Sequence, residues 1–401
     1  MEIRQVRDEE FFQWRIAVRG SLGDHTNPES TAFMRAHRVE IDRLLVCMDG
    51  NTMAGSGGAD SFDMTLPGGA QVPVAGVAYI TTAPTHRRRG VQRNIMKRIH
   101  DDARERGDVA SILWASQSLL YGRYGYGNTM PVHNWHIDLR HTSYEYAPEW
   151  SGHYVKVERD EAIPLMTEAY ERTRLHRTGM ITRTAKRWLY EIHPVETKDE
   201  FFVIYKEGND ALAYARYTMQ FDPHDEFRGT MYVVEAVAAT DAAHAALWRF
   251  LLDQELIHEV IAYARPVDDP LIWMLGEPRR LRRTLTDAIW MKFLNIPAML
   301  ERRTYPVADS LTLKIIDTET KEPRNLAVEF GTDGATCRDT NAAPDLVMNE
   351  AELAAIYAGA VECSMLADIG LADVSARTPD AALRADAIFR TSPAGWNPYH
   401  F

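Results

Sequence analysis

The sequence predicts an α/β chain, α+β in its internal arrangement, with two mixed domains of similar plan and a smaller α+β domain at the end. Three stretches predict it. Val74 to Gly125 reads as strand, basic glycine turn, helix, strand and short aromatic segment. Thr230 to Gln254 repeats the hand-over from strand to helix. From about Pro306 the pattern changes to short alternating strands around polar turns. The 401 residues, 45% of them hydrophobic, exceed what one core usually fills. The expected domains are 1–148, 149–300 and 301–401.

Met1 to Val6 is strand-like. Asp8 to Gly20 is a helix with Phe11, Phe12, Trp14, Ile16 and Val18 available to its buried side. Ser21 to Ser30 is a polar connector, expected to be exposed. Arg43–Met48 and Met53–Ser61 are strands, with Asp49-Gly50-Asn51 as turn chemistry. Leu66 to Gly69 turns the chain into the central strand, where Val74 to Thr82 is dense in β-branched and apolar residues. Ala83-Pro84-Thr85 ends that strand, because proline cannot donate to a ladder. Val91, Ile95, Met96 and Ile99 then recur at helical spacing. Strands at Ala110–Ala115 and Val132–Leu139 complete the first domain.

In the second domain Glu161–Leu175 is an amphipathic helix, and Phe201–Met219 a hairpin around Gly208-Asn209. The third carries strands at Leu311–Ile316, Asn325–Phe330 and Ala335–Thr340, a helix at Ala351–Ala360, and a closing stretch to Phe401.

The start of a helix offers free N–H groups and the positive end of its dipole. Arg87, Arg88 and Arg89 in front of one make a site for a polyanion such as a pyrophosphate. A solvated basic helix start, or a nucleic-acid or import patch, is the plainer reading. The buried strand before it and the acidic chain as a whole oppose that. Arg87-x-x-Gly90 after a strand resembles the acyl-CoA pyrophosphate loop of the GNAT N-acetyltransferases. APTHRRRG joined at this separation to ASQSLLYGRYGYG is similar to the Eis (enhanced intracellular survival) branch. Gln92 departs from the general motif, which has Gly or Ala there.

The resemblance covers essentially the whole chain. It implies tandem GNAT-like domains, the first catalytic and the second without a cofactor loop, then a sterol-carrier-protein-like domain. It also implies a homo-hexamer. In the second domain Ala239-Thr240-Asp241-Ala242-Ala243 stands where the first has its arginines. Asp241 is expected to cap the helix and repel a phosphate, so this half should not bind acyl-CoA.

Transfer of an acetyl group from a thioester to an amine requires a held cofactor, a neutral amine, a stabilised oxyanion and a protonated leaving thiolate. Arg87, Arg88, Arg89, Gly90, Val91, Gln92 and Arg93 would hold the pyrophosphate. Ile80, Thr81 and Thr82, at the end of the central strand, would pair with the pantetheine and offer an N–H to the thioester carbonyl. A tyrosine is still protonated at pH 7 and can donate to a departing thiolate. The residues do not choose among Tyr121, Tyr124 and Tyr126, and the bland reading makes all three core aromatics. The resemblance chooses Tyr121 as general acid and adds Ser116 and Gln117 as cofactor contacts.

The resemblance also brings the carboxylate of Phe401 into the active site, as a base or as a group that orients the amine. Asp24 matches a carboxylate of the amine cleft, though it reads equally as a surface acid. His400 stands where relatives that act on aminoglycosides carry an acid, and Met34 where they carry a large aromatic. Both changes should loosen the grip on polycationic amino sugars.

Net charge is −12, with one concentrated basic turn. That balance disfavours nucleic acid and suits a small anionic cofactor with a cationic amine as acceptor. Cys47, Cys337 and Cys363 lack metal-ligand spacing, so no metal is expected, and buried thiols point to a reducing cytoplasm. Met1 to Arg19 is unlike a signal peptide, and nothing later is long and apolar enough to span a membrane. The reading is a cytoplasmic acetyl-CoA-dependent N-acetyltransferase. An acyl-CoA sensor without turnover and a lipid-binding protein are the other classes to weigh.

Overall fold

The computed structural model describes residues 1–192 and 199–401. The chain opens with β1 (Glu2–Gln5), α1 (Phe11–Ser21), α2 (Pro28–His37), β2 (Leu44–Asp49), β3 (Thr52–Thr65) and β4 (Gln71–Thr82). It continues through α3 (Val91–Arg106), β5 (Ala110–Trp114), α4 (Ser118–Tyr121), β6 (Gly127–Asp138), β7 (His153–Val157), α5 (Arg159–Arg174) and α6 (Ala185–Glu191). β8 (Phe201–Glu207), β9 (Asp210–Asp222), β10 (Asp225–Ala238), α7 (Asp241–Leu252), β11 (Ile257–Pro266), α8 (Leu271–Met274) and β12 (Leu281–Phe293) follow. The remainder is α9 (Ile296–Arg302), β13 (Asp309–Ile316), β14 (Pro323–Gly331), β15 (Gly334–Asp339), β16 (Leu346–Asn349), α10 (Glu350–Tyr357), α11 (Cys363–Asp368), β17 (Ala372–Val374) and α12 (Ala381–Phe389).

Contacts group the chain into two compact units: residues 1–130, 288–395 and 400–401, and residues 131–287 and 396–399. These divisions fall elsewhere than 148 and 300, because β6 and β12 each begin in one unit and end in the other. Residues 132–138, expected as the last strand of the first domain, pair antiparallel with β11 in the second unit.

In the first unit β1, β2, β3 and β4 are successive antiparallel neighbours, and β5 joins β4 in parallel. Beyond β5 the sheet is completed from far downstream, by Ile289–Phe293 of β12. α3 lies on this sheet through Val91, Ile95, Met96, Ile99 and Ala103, sharing one core with Tyr121, Tyr124 and Tyr126. The same unit holds a five-stranded sheet in the order β15-β14-β13-β16-β17. Tyr305, Phe330 and Phe389 meet edge to face beneath it at 4.9 to 5.8 Å. The second unit runs β6-β11-β10-β9-β8-β7, with α7 packed through Ala243, Ala246, Leu247, Trp248 and Leu251.

Three local expectations are corrected. α1 buries Phe11, Trp14 and Val18, which share a face at spacings of three and four, while Ile16 faces solvent and Phe12 is half-buried. The connector 21–30 is not all loop, since α2 starts inside it. Asn27 accepts the Ser30 N–H at 2.8 Å and Pro28 takes the first helical position, a start signal that the polar composition hid. In α7 the cap is the Thr240 hydroxyl, which accepts from the Ala243 N–H at 3.1 Å, with Asp241 the first residue inside. Among the described residues no helix is long and apolar enough to cross a membrane.

Candidate active site

The site begins with a fault in the sheet. Ser56 faces Thr81 and Gly58 faces Ala78, so Tyr79 and Ile80 together oppose Gly57 and β4 bulges there. Tyr79 is left-handed at φ 62°. Its carbonyl accepts from the Ser56 hydroxyl at 2.9 Å, which also lies 2.6 Å from the Thr81 hydroxyl. The Tyr79 ring meets Trp14 edge-on, and its phenol oxygen accepts from Arg38. The parallel ladder between β4 and β5 covers only Val74–Gly76 against Ala110–Ile112. Past that point the two strands part, leaving a cleft along Ile80–Thr82 for an extended ligand.

The arginine turn follows. Gly90 is the N-cap of α3 at φ 80°, a conformation that costs a side-chain-bearing residue roughly 1 kcal/mol, and it brings no side-chain oxygen to the helix start. The first-turn N–H groups are therefore open to an outside acceptor. Arg88 is also left-handed, at φ 62°. Arg89 is engaged by Asp49 at 2.9 Å, and this pairing, with His86 at 3.3 Å, holds the Asp49 carboxyl below its usual range. Among the described residues Arg87, Arg88, Arg93 and Arg123 form no ion pair with a carboxylate.

The third wall is the aromatic segment. Tyr121 is 6% exposed. Burial raises its pKa, partly offset by a hydrogen bond from Ser116. Tyr126 is sealed in the core, its hydroxyl 2.9 Å from His100 Nε2 and 2.5 Å from the Ser111 hydroxyl. Gly125 is held at φ 84° with Glu350 so close that a Cβ would lie 1.9 Å from its carboxylate. Gly125 thus serves the docking of α10 rather than the chemistry.

One cavity of about 1230 Å³ gathers these parts. Ile80, Thr81, Thr82, all seven residues from Arg87 to Arg93, Ser116, Gln117 and Tyr121 line it. So do Tyr124, one of the three tyrosines the residues left open, and Arg123, Thr318 and Glu319, which sequence reasoning did not assign to a site. The Thr82 hydroxyl is buried without a hydrogen bond among the described residues. The other four candidates are not among the lining residues. Asp24 is spent on an ion pair with Arg19. Met34 is buried inside α2. His400 is exposed and lies on the Trp114 ring at 4.7 Å, where partial desolvation, with Arg38 nearby, lowers its pKa. Phe401 is buried against Phe62 at 5.1 Å and passes over Gly76.

A bulged strand parting from its parallel neighbour, an uncapped helix start behind arginines and a protonated phenol in the same cavity define a GNAT-type N-acetyltransferase, an enzyme that draws its acyl group from coenzyme A. The acetyltransferase (GNAT) domain family matches residues 2–129, a second acetyltransferase (GNAT) domain family residues 179–292, and the sterol carrier protein domain family residues 296–398. N-acetyltransferase Eis of Mycobacterium tuberculosis is 31% identical over 392 residues, 93% of each chain. An uncharacterized N-acetyltransferase of Streptomyces avermitilis is 29% identical over 411 residues, 100% of this chain and 99% of that one. The crystal structure of Eis1 from Mycobacterium abscessus superposes with a TM-score of 0.86 at 24% identity, covering both chains fully. The chain belongs to the Eis family of N-acetyltransferases, with two GNAT domains followed by a sterol-carrier-like domain.

Proposed function

We propose that the first GNAT-like domain transfers acetyl from acetyl-CoA directly to a primary amine of a cationic substrate, within a ternary complex. The acceptor is an aminoglycoside-type antibiotic, a polyamine or a lysine side chain. The pyrophosphate lies on the amides and arginines of Arg87–Arg93. Pantetheine runs along Ile80–Thr82, where a bulge N–H donates to the thioester carbonyl as it becomes an oxyanion. The amine attacks that carbon, the C–S bond breaks, and the departing thiolate takes its proton from the Tyr121 hydroxyl, which burial keeps protonated. The Phe401 carboxylate orients the incoming amine and accepts its proton through water.

The observation that carries this reading is the shared cavity of Tyr121, Ser116 and the arginine turn. No cysteine is among its described lining residues, which favours direct attack over an acyl-enzyme. Neither His400 nor Asp24 supplies a spare negative charge, which favours acceptors with fewer cationic groups. A cytoplasmic homo-hexamer is the assembly proposed with this reading.

The test is release of free CoA thiol from acetyl-CoA with aminoglycosides, polyamines and lysine peptides. Tyr121→Phe should lower kcat by about 10²-fold with acetyl-CoA affinity intact, and a chain lacking Phe401 should behave likewise. Binding of acetyl-CoA with no thiol release for any amine would overturn the transferase mechanism.

A further inference from the structure

Part of the wall of the cavity comes from the sterol-carrier-like domain. Between β13 and β14 the chain makes a tight turn, in which the Asp317 carboxylate accepts the N–H groups of Glu319 at 2.9 Å and Thr320 at 2.7 Å. The backbone closes it, with Asp317 N–H donating to the Glu322 carbonyl and Lys321 N–H to that of Asp317. The turn is also fastened from below. Glu350 accepts the Thr318 N–H at 3.3 Å and pairs with Lys292, which sits on the strand beside β5. A turn tied at both ends and at its apex is a rigid part of the wall.

Two of its side chains face the cavity. The Thr318 hydroxyl is buried and makes no hydrogen bond among the described residues. Glu319 is exposed on the cavity surface and is the one carboxylate among its described lining residues, against five arginines. A lone acid in a site built for phosphates repels what the arginines attract.

We propose that Thr318 and Glu319, carried on this turn, are part of the acyl-CoA site, where the Thr318 hydroxyl bonds the cofactor and the Glu319 carboxylate opposes its phosphates. The C-terminal domain thereby limits how tightly the cofactor is held and eases departure of CoA after transfer. This rests on the reading of the cavity as the acyl-CoA site.

The experiment is calorimetric titration of full-length protein with acetyl-CoA and with CoA. At about 0.05 M salt Glu319→Gln should bind both about threefold more tightly, and Glu319→Lys about tenfold, with the gains fading near 0.5 M salt. Thr318→Val should bind about fivefold more weakly at either salt. Glu322→Gln removes the same charge from the same turn outside the cavity and should bind as wild type. Wild-type affinity in both Glu319 variants at low salt would overturn the proposal, as would an equal gain in Glu322→Gln. Wild-type protein that bound no acetyl-CoA would instead sink the cofactor site itself.

Discussion

The starts of α3 and α7 share a plan and differ in what occupies it. Each helix leaves the end of a sheet strand in a GNAT-type domain. At α3 the cap is a bare glycine, Arg87, Arg88 and Arg93 form no ion pair among the described residues while Arg89 pairs with Asp49, and the cavity beside it measures about 1230 Å³. At α7 the Thr240 hydroxyl occupies the helix start, Asp241 adds negative charge, and the cavity shrinks to about 130 Å³. Protein groups fill that notch. Arg265 donates to the Ala236 carbonyl at 2.5 Å and to Asp269 at 3.1 Å, and His244 approaches Asp269 at 3.0 Å. Burial would raise the Asp269 carboxyl, yet His244 and Arg265 hold it below its usual range. Trp396 covers Arg265 at 5.4 Å and donates to the Ala264 carbonyl. The same hand-over leaves its first-turn amides open when the cap is a bare glycine, and becomes a packed joint when side chains satisfy it.

The largest effect expected from this contrast is at the arginines. Replacing Arg87, Arg88 and Arg93 together by Ala should weaken acetyl-CoA binding by about 10³-fold or more, since each charge-assisted bond is worth about 1.5 kcal/mol or more. Calorimetry of the wild type should find one CoA per chain. A second equivalent would show that α7 is still an open site and break the comparison.

Next in size are two glycines of positive φ. Gly125→Ala forces a Cβ into Glu350 and Lys292 and should cost about 3 kcal/mol. Gly208→Ala, in the β8–β9 hairpin at φ 58°, meets nothing within 4 Å and should cost about 1 kcal/mol. Denaturant midpoints of the two variants measure the difference, and equal losses would show that α10 does not press on the aromatic segment.

The most gradual effect is in pH. Burial, with Lys292 and Arg104 nearby, lowers the His100 pKa to about 3. The unfolded chain binds that proton near pH 6.5 and the folded chain does not, so between these values the unfolded state carries the extra proton. Stability of the first unit should therefore rise with pH across this window, and fall by about 1 kcal/mol per pH unit below 6.5. His100→Gln should flatten that slope in hydrogen exchange of α3 amides. An unchanged slope would assign it to other groups.

The parts of the site that lie close together in the chain could be read in advance. Thr81, Arg87 to Arg93, Ser116 and Tyr121 fall within about 40 residues, where strand, turn and helix periodicities are sharp. Thr318 and Glu319 could not be read, because a polar turn some 200 residues downstream looks like any other turn. The bulge at Tyr79 left no signal either, since Tyr and Ile suit a regular strand equally well. The string YGRYGYG points to its tyrosines and gives its glycines no role. Gly125 instead answers to Glu350, a partner that only the tertiary structure supplies. The elements around the arginine turn followed from local pattern, whereas α2 and β12 did not, and the cut at Met130 depended on which strands pair.

The strand that flanks β5 has a consequence for synthesis on the ribosome. The first unit cannot close its sheet until Ile289–Phe293 has been made, about 160 residues after Met130. At roughly 5–20 residues per second that is a delay of about 8–30 s. Throughout it the edge of β5 is open to the wrong partner. The second unit, nearly continuous in sequence, has all but its last four residues by then. The middle of the chain can thus finish folding before its beginning, and the nascent N-terminal segment is where a chaperone would be most needed.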